Sequence, residues 1–407
     1  MLFALRQGGQ RLLWKSKGTL RGLITMGEGV AYQRSSPISV VEKPYHLFIR
    51  LDGIGDFWLW LPFVAALRKA FPHEPFILLA NPLWEELVPE TGLFAETLTI
   101  RPEHFRRKPA YRREVLHALR TRLSPARYLW QTTYARRSLL DDLLAWALPA
   151  EQKIAWERTP LAAEPRWLGR WIDRQVYHEV RPSQLPPLIH EWIRYQHWLR
   201  TGGWPRLDFS IYATLRNKWQ AFANGSPYLA IVLSSGQVYR VPPRSILQSI
   251  IQAVQRRSGL PVYFLGTARD RAMAEELSAH LAMGSSVNLC GQLSLLEAAR
   301  KVGNAFVVVG PETGLVHIAA TLGIPTLMIA GGGHWGQFVP YPAEAPFALK
   351  VLTHSLPCFG CGWHCGYAFS TRKAVPCIEN LSPQKAVEEA LSWLERLWGI
   401  PAQPPLG

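Results

Sequence analysis

The chain has 407 residues, 48% hydrophobic and 18% charged, with a formal net charge of +15. That composition supports a large buried core and excludes a chain disordered beyond its ends, and the length suits two domains better than one. No apolar run reaches the roughly 18–20 residues that span a bilayer, which excludes a membrane-spanning helix, and the charge favours anionic partners.

In chain order, the first forty residues hold Arg6, Arg11, Lys15, Lys17, Arg21 and Arg34 against Glu28 alone. They lack the basic start, apolar stretch and small-residue cleavage site of a signal peptide. Leu2, Leu5, Leu12, Leu13, Leu20 and Ile24 fall near one helical face. This predicts an amphipathic helix, either lying on an anionic membrane or docked on the body of the protein. Residues 1–42 are therefore read as a basic extension.

From Tyr45 the pattern alternates. Tyr45–Leu51 predicts a buried strand and Phe57–Ala70 a helix. Pro75–Ala80 and Arg127–Gln131 predict strands either side of a helix at Tyr111–Arg122. Arg136–Ala147 predicts a helix and Lys153–Trp156 a strand. The basic cluster Arg101, Arg106, Arg107, Lys108, Arg112, Arg113, Arg120, Arg122 and Arg127 falls in this stretch. Glu164–Arg200 reads as helical, broken by Pro182, Pro186 and Pro187, and the turn-rich Gly202–Pro205 as a linker. That gives a first domain over 43–204.

A second series follows over 205–382. Tyr228–Leu233, Pro261–Leu265, Ala305–Val309 and Ile324–Ile329 predict strands. Ser245–Ser258, Asp270–Leu281, Leu293–Val302 and Leu315–Leu322 predict helices, and Pro383–Trp398 a last helix before the tail, in a segment 383–407. Short apolar runs alternating with helical patterns mean α/β: two doubly wound, Rossmann-like domains expected to face each other across a cleft.

Open parallel sheets bind ligands beyond the carboxyl ends of their strands. In the second half those ends read Ser234-Ser235-Gly236, Gly266-Thr267, Gly310-Pro311-Glu312-Thr313-Gly314 and Gly331-Gly332-Gly333. Small and hydroxyl residues let backbone amides approach a ligand, and the helix from Thr313 offers its N-terminus to a diphosphate. One such loop is ordinary turn punctuation; four converging loops predict a nucleotide site. There is no Walker lysine motif, and Asp52-Gly53-Ile54-Gly55-Asp56 lacks the third glycine of a dinucleotide fingerprint, which speaks against ATPases and simple dehydrogenases. Asp56 stands at the start of a helix that it can cap, and is also placed to serve as a general base in a cleft.

Four of the five cysteines lie in the spacing Cys358-x2-Cys361-x3-Cys365-x11-Cys377. Two thiolate pairs on one short loop reach tetrahedral geometry round one soft ion; four buried thiols or two disulfides are the alternatives. His354 and His364 are substitute ligands. The reading is a structural site that braces the return of the chain, with zinc the default ion. Cysteines gathered in this way, without an export signal, point to the cytoplasm, including peripheral attachment at an inner membrane.

Several stretches together resemble glycosyltransferase family 9, the ADP-heptose heptosyltransferases. Ile49-Arg50-Leu51-Asp52-Gly53-Ile54-Gly55-Asp56, with Leu61-Pro62 and Leu67-Arg68-Lys69-Ala70-Phe71-Pro72, is similar to its opening motif. Asn288-Leu289-Cys290-Gly291 with Leu295-Leu296-Glu297-Ala298 resembles its "nLxGxxsLxExa" stretch. Gly310 to His317, then Ala319-Ala320 and Gly323-Ile324-Pro325, resembles its "(D)TGxxHxAaxxGxP" signature. The match covers roughly residues 45–395. Gly331-Gly332-Gly333-His334 with Cys358-Phe359-Gly360-Cys361-Gly362-Trp363 resembles a cysteine-bearing branch that includes the heptosyltransferases of bacterial autotransporter proteins.

The resemblance implies a GT-B fold and inverting transfer from an ADP-sugar, without a catalytic metal, to lipopolysaccharide, another glycan or a protein. It implies Asp56 as the base, the Thr313 and Gly314 amides and His317 on the donor diphosphate, and Asp270 on the donor ribose. Ser235, Gly236 and Glu312 complete the expected donor site. It also favours iron over zinc at the cysteines. Two departures stand out. Where the family commonly carries lysine in "K-x-W-P", this chain has Tyr239-Arg240-Val241-Pro242-Pro243, which leaves Arg240 to supply the leaving-group cation. Where the family carries Asp before Thr-Gly, this chain has Glu312. Two other readings stay open: a nucleic-acid-binding protein using the basic clusters, 17 tryptophans and a cysteine knot, and a sugar-nucleotide sensor without catalysis. The tryptophans sit mostly in apolar helical patterns, which disfavours nucleic acid. The oligomeric state stays open.

Overall fold

The computed structural model describes residues 2–33, 44–159, 164–182, 184–221, 225–233, 235–367, 370 and 372–399, with side chains of the first helix described over 16–32. Ser234, Arg34, the tail from residue 400 and the side chains of Leu2, Leu5, Leu12 and Leu13 lie outside the described residues. The chain divides into two compact units. The first takes Met1–Gly53, Phe63–Pro187 and Gln196–Arg206; the second takes Ile54–Pro62, Leu188–Tyr195 and Leu207–Gly407.

The first unit is built on a parallel sheet of six strands: β1 (His46–Arg50), β2 (Phe76–Ala80), β3 (Glu96–Thr99), β4 (Ala126–Gln131), β5 (Ala150–Trp156) and β6 (Glu179–Arg181). Their order is β3-β2-β1-β4-β5-β6. Central β1 is buried at every position, as a strand covered on both faces must be, and pairs Leu47 with Ile77 on one side and Leu129 on the other. Leu47, Ile49 and Leu129 pack with Leu140, Leu143 and Leu144 in one core cluster.

The first helix runs Leu2–Gln33. Over its described half it is docked through small residues together with Ile24, Met26, Val30 and Tyr32, which pack against the core. Gly18, Gly22, Thr25 and Gly29, at helical spacing, are buried. A Cβ on Gly29 would meet the Trp146 ring at 2.2 Å, and one on Gly22 would meet Leu168 Cδ2 at 2.4 Å. Glu28 holds Arg112 through two hydrogen bonds of 2.7 and 2.5 Å. Leu20 and Leu23 remain 60% and 46% exposed.

The helix expected over Arg136–Ala147 is instead a π-helical turn, Ser138–Asp142, followed by a short α-helix, Leu143–Ala147. The cause is buried charge. Asp142 faces Arg158 at 2.7 Å and Arg136 at 3.4 Å, and accepts from the Tyr177 hydroxyl at 2.8 Å. Asp173 receives Arg136 at 2.8 Å and Arg158 at 3.0 Å. Asp141 accepts from the Arg137 backbone amide at 2.7 Å and from its Nε at 2.9 Å. Seating these carboxylates on their cations accompanies the widened turn.

The second unit repeats the winding with β7 (Leu229–Val232), β8 (Val262–Leu265), β9 (Ser286–Asn288), β10 (Val307–Pro311), β11 (Thr326–Ile329) and β12 (Leu349–Leu352), in the order β12-β11-β10-β7-β8-β9. Every pairing is parallel. Helices Arg244–Ser258 and Pro383–Trp398 pack with the strands in one core that includes Ile231, Ile250, Phe264, Val309, Leu327 and Ala390. The strand order reverses between β7 and β10, so their carboxyl ends flank the crevice of a doubly wound sheet. Four strands that the sequence pattern did not predict, β3, β6, β9 and β12, are the four sheet edges.

Candidate functional site

The carboxyl end of β10 runs into Glu312 and Thr313, and the helix Gly314–Thr321 begins at once. Thr313 is its N-cap, in extended backbone and without a side-chain cap bond, so the amides of the first turn point past the strand end. Gly314 is required by close approach: a Cβ there would meet Ile54 Cγ2 at 2.5 Å and Gly55 N at 3.1 Å. Ile54 and Gly55 open the helix Ile54–Ala70, which starts three residues before the expected Phe57 and so takes Asp56 into its first turn. An acidic side chain there suits the helix dipole.

Glu312 is 4% exposed. Its Oε1 accepts from His334 Nδ1 at 2.5 Å, while Oε2 has no hydrogen-bond partner among the described residues. Burial pushes this carboxyl up, but the fields of His334, His317 and Arg240 and the His334 hydrogen bond outweigh it and hold the group below its ordinary range. His317 is 3% exposed, with Nδ1 2.8 Å from the Tyr341 hydroxyl. Burial pushes it down to about 4; His334 adds to the depression, while Glu312 and Asp56 oppose it. His317 is thus neutral at pH 7 and feels Asp56 directly. Arg240 closes the 3-10 turn Val238–Arg240 after β7, and its Nη2 lies 3.5 Å from His334 Nε2.

The structure therefore gathers Asp56, Arg240, Glu312, Thr313, Gly314 and His317. Ser235 and Gly236 follow β7, the strand next to β10, and a Cβ on Gly236 would meet nothing within 4 Å. Asp270 stands apart at the end of β8, two strand spacings or about 10 Å from β10. It closes a capping box, its Oδ2 accepting from Thr267 N and Oγ1, each at 2.7 Å.

One expectation needs correction. Gly331-Gly332-Gly333 does not leave open space for a ligand. A Cβ on these residues would meet Cys377 Sγ at 3.1 Å, Phe359 Cδ1 at 2.4 Å and Trp363 Cδ2 at 2.2 Å. The glycines make room for the cysteine loop, whose Gly360 and Gly362 amides donate to Gly332 O at 2.7 Å and Gly333 O at 3.1 Å. Gly310 likewise serves packing, against Val232 and Val316.

None of the five cysteines forms a disulfide. Burial raises the Cys361 and Cys377 thiols, and the fields of the other cysteines of the loop raise them further. Cys377 Sγ also accepts from Gly332 N at 3.3 Å. Among the described residues, no three His, Cys, Asp or Glu side chains stand together as a formed metal site. No described helix is long and apolar enough to cross a membrane. Sequence reasoning gave no role to His334, Tyr341 or Trp363. His334 was visible only as the residue after three glycines, and Tyr341 carried no signal.

Two parallel sheets of the same winding, the second with a helix N-terminus and a buried ionisable group at its switch point, define a GT-B fold. Residues 204–361 match the family model of glycosyltransferase family 9 (heptosyltransferase). Solved structures are similar in fold. A family 9 glycosyl transferase from Veillonella parvula DSM 2008 is 13% identical, with 88% of this chain and 100% of that one covered and a TM-score of 0.63. E. coli heptosyltransferase WaaC with ADP is 15% identical, covering 86% and 99%, with a TM-score of 0.61. E. coli ADP-heptose lipopolysaccharide heptosyltransferase II is 18% identical, covering 87% and 99%, with a TM-score of 0.58. No curated protein matches the chain in sequence.

Proposed function

We propose that this chain transfers heptose, or a related sugar, from an ADP-sugar to a hydroxyl of a cell-envelope glycan or protein, with inversion. The observation that carries the reading is the approach of Gly55 and Asp56 to His317 at the N-terminus of helix Gly314–Thr321, with Glu312 within the field of His317. The Thr313 and Gly314 amides hold the diphosphate. With the Tyr341 hydroxyl donating to Nδ1, neutral His317 carries its proton on Nε2 and donates it to a phosphate oxygen. Glu312 Oε2, buried and without a partner among the described residues, accepts from a sugar hydroxyl. Asp270 takes the ribose.

Asp56 removes the proton of the acceptor hydroxyl as its oxygen bonds to the anomeric carbon. The bond from that carbon to the diphosphate oxygen breaks, and ADP leaves with the electron pair. Arg240 and the helix N-terminus meet the charge that develops there. The test is mass spectrometry of products after a panel of nucleotide sugars is offered with cell-envelope extracts. A heptose added from ADP-heptose is expected; hydrolysis alone, or no transfer from any donor, would sink the reading.

The spacing of Cys358, Cys361, Cys365 and Cys377 along the chain suits a single soft ion, iron or zinc, as a structural centre, with the side chains drawing together on binding it. The Gly332 amide on Cys377 favours the thiolate, while the mutual field of the thiols opposes several of them ionising together, a repulsion that a bound cation would relieve. Bound metal would hold the loop against Gly331–Gly333 and supply no chemistry to the transfer. Reduced thiols suit the cytoplasm. Elemental analysis is expected to find close to one iron or zinc per chain, lost in Cys361→Ser together with thermal stability; metal-free protein of full stability refutes it.

A further inference from the structure

Trp363 belongs to the cysteine loop, yet its ring lies among the residues of the candidate donor site. The Arg240 guanidinium carbon stands 4.2 Å from the ring centroid. His334 meets the ring edge-on, at 5.1 Å and 82°, and Tyr239, the neighbour of Arg240, lies 5.5 Å away. The ring fills the space that a Cβ on Gly333 would need. Trp363 is also the one non-glycine with positive φ among the described residues, at 66°. A bulky residue keeps that conformation where its surroundings over-determine it, and such positions gather at ligand clamps and active sites.

Arg240 needs such a support. It sits in a single 3-10 turn, and its Nε has no hydrogen-bond partner among the described residues. Its Nη2 reaches His334 only at 3.5 Å. A long, rotamer-rich side chain held by one long hydrogen bond would lose much freedom on meeting a phosphate; a flat aromatic face removes that freedom beforehand. We propose that Trp363 is a positioning residue that stacks on Arg240 and sets its guanidinium for the donor diphosphate, which makes the cysteine loop a wall of the donor site. The inference rests on the reading of Arg240 given above.

The test is calorimetry of ADP binding to the full chain. Arg240→Ala is expected to weaken ADP about tenfold, and Trp363→Ala about threefold to tenfold, the range of a partly buried cation–π contact. Trp363→Phe keeps an aromatic face and should recover most of the loss. The double variant should bind no more weakly than Arg240→Ala, because Trp363 acts through Arg240 alone. Metal content of Trp363→Ala should equal that of the wild type, which separates positioning from collapse of the loop. Wild-type affinity in Trp363→Ala overturns the inference, as does a double variant weakened by the product of the two single losses. Wild-type affinity in Arg240→Ala overturns the reading of Arg240 and the inference with it.

Discussion

The two sheets share one winding and differ at the corresponding edge. After β4 the first unit places Gln131 and Thr132, both fully buried, and then Arg136, whose charge is absorbed locally: two guanidiniums, Arg136 and Arg158, face two carboxylates, Asp142 and Asp173. After β10 the second unit places Glu312 beside His334, His317 and Arg240, and leaves Glu312 Oε2 without a hydrogen-bond partner among the described residues. The first arrangement sets two cations against two carboxylates beside an irregular turn, although Gln131 Nε2, Thr132 Oγ1, Arg136 Nε and Arg158 Nε also lack hydrogen-bond partners among the described residues. The second keeps a buried acceptor open, which is costly for a fold and useful for a ligand. Topology alone does not separate scaffold from site; the residues after the strand do, with Arg–Asp pairs in the first unit and a Glu–His–Arg group beside a helix N-terminus in the second.

The sharpest way to break this contrast is to unbalance the charges of the first network. Asp142→Ala leaves two buried cations facing one carboxylate, and should cost about 3–5 kcal/mol of stability in urea unfolding. ADP affinity of the folded fraction should not change. A loss below about 1 kcal/mol would show that the network contributes little, and the contrast would fail.

The next largest effect belongs to chemistry. Asp56→Asn keeps the size of the side chain but cannot take a proton, and turnover should fall by about 100-fold or more with ADP affinity near wild type. Product formation and calorimetry on the same preparation separate the two, and full turnover removes Asp56 as the base.

The smallest effect is a pH dependence. Burial pushes His46 down to about 4, His190 to about 3 and His317 to about 4, from an ordinary value of 6.5. Below pH 6.5 the unfolded chain takes up protons that the folded chain refuses. Stability is therefore full above that pH and is lost as pH falls toward 4. The melting temperature should be several degrees lower at pH 5 than at pH 7. His317→Asn should flatten that dependence in part, and a dependence unchanged by it would mean that His317 is charged in the folded protein.

Much of this was legible in the residues. Central strands such as β1 and β10 are buried on both faces and read as continuous apolar runs, so their positions were found within two residues. The edge strands were not: Glu96–Thr99, Glu179–Arg181 and Ser286–Asn288 are polar and partly open, as edges must be. Lys350 interrupts the fourth edge, Leu349–Leu352, and pairs with Glu389 at 2.8 Å. At the site, Thr313, Gly314, His317 and Asp56 were legible because strand ends and helix starts carry small, acidic and glycine residues for local reasons. His334, Tyr341 and Trp363 were not, because their roles depend on loops 20 to 50 residues away in the chain that the fold returns to β10. The glycines at 331–333 were visible but misassigned: a missing Cβ makes room equally for a ligand and for a neighbouring side chain, and sequence does not say which.

That last packing has a bearing on inheritance. Gly332 and Gly333 leave room for Phe359 and Trp363, so a change at any one of the four positions bears on the others. A lineage that sheds the cysteine loop removes the contacts that exclude a side chain at both glycines, and larger residues are then expected to drift in. A lineage that then regains the loop must first clear them. Descent through that step is easier outward than back, and the glycine pair should persist wherever the two aromatics do.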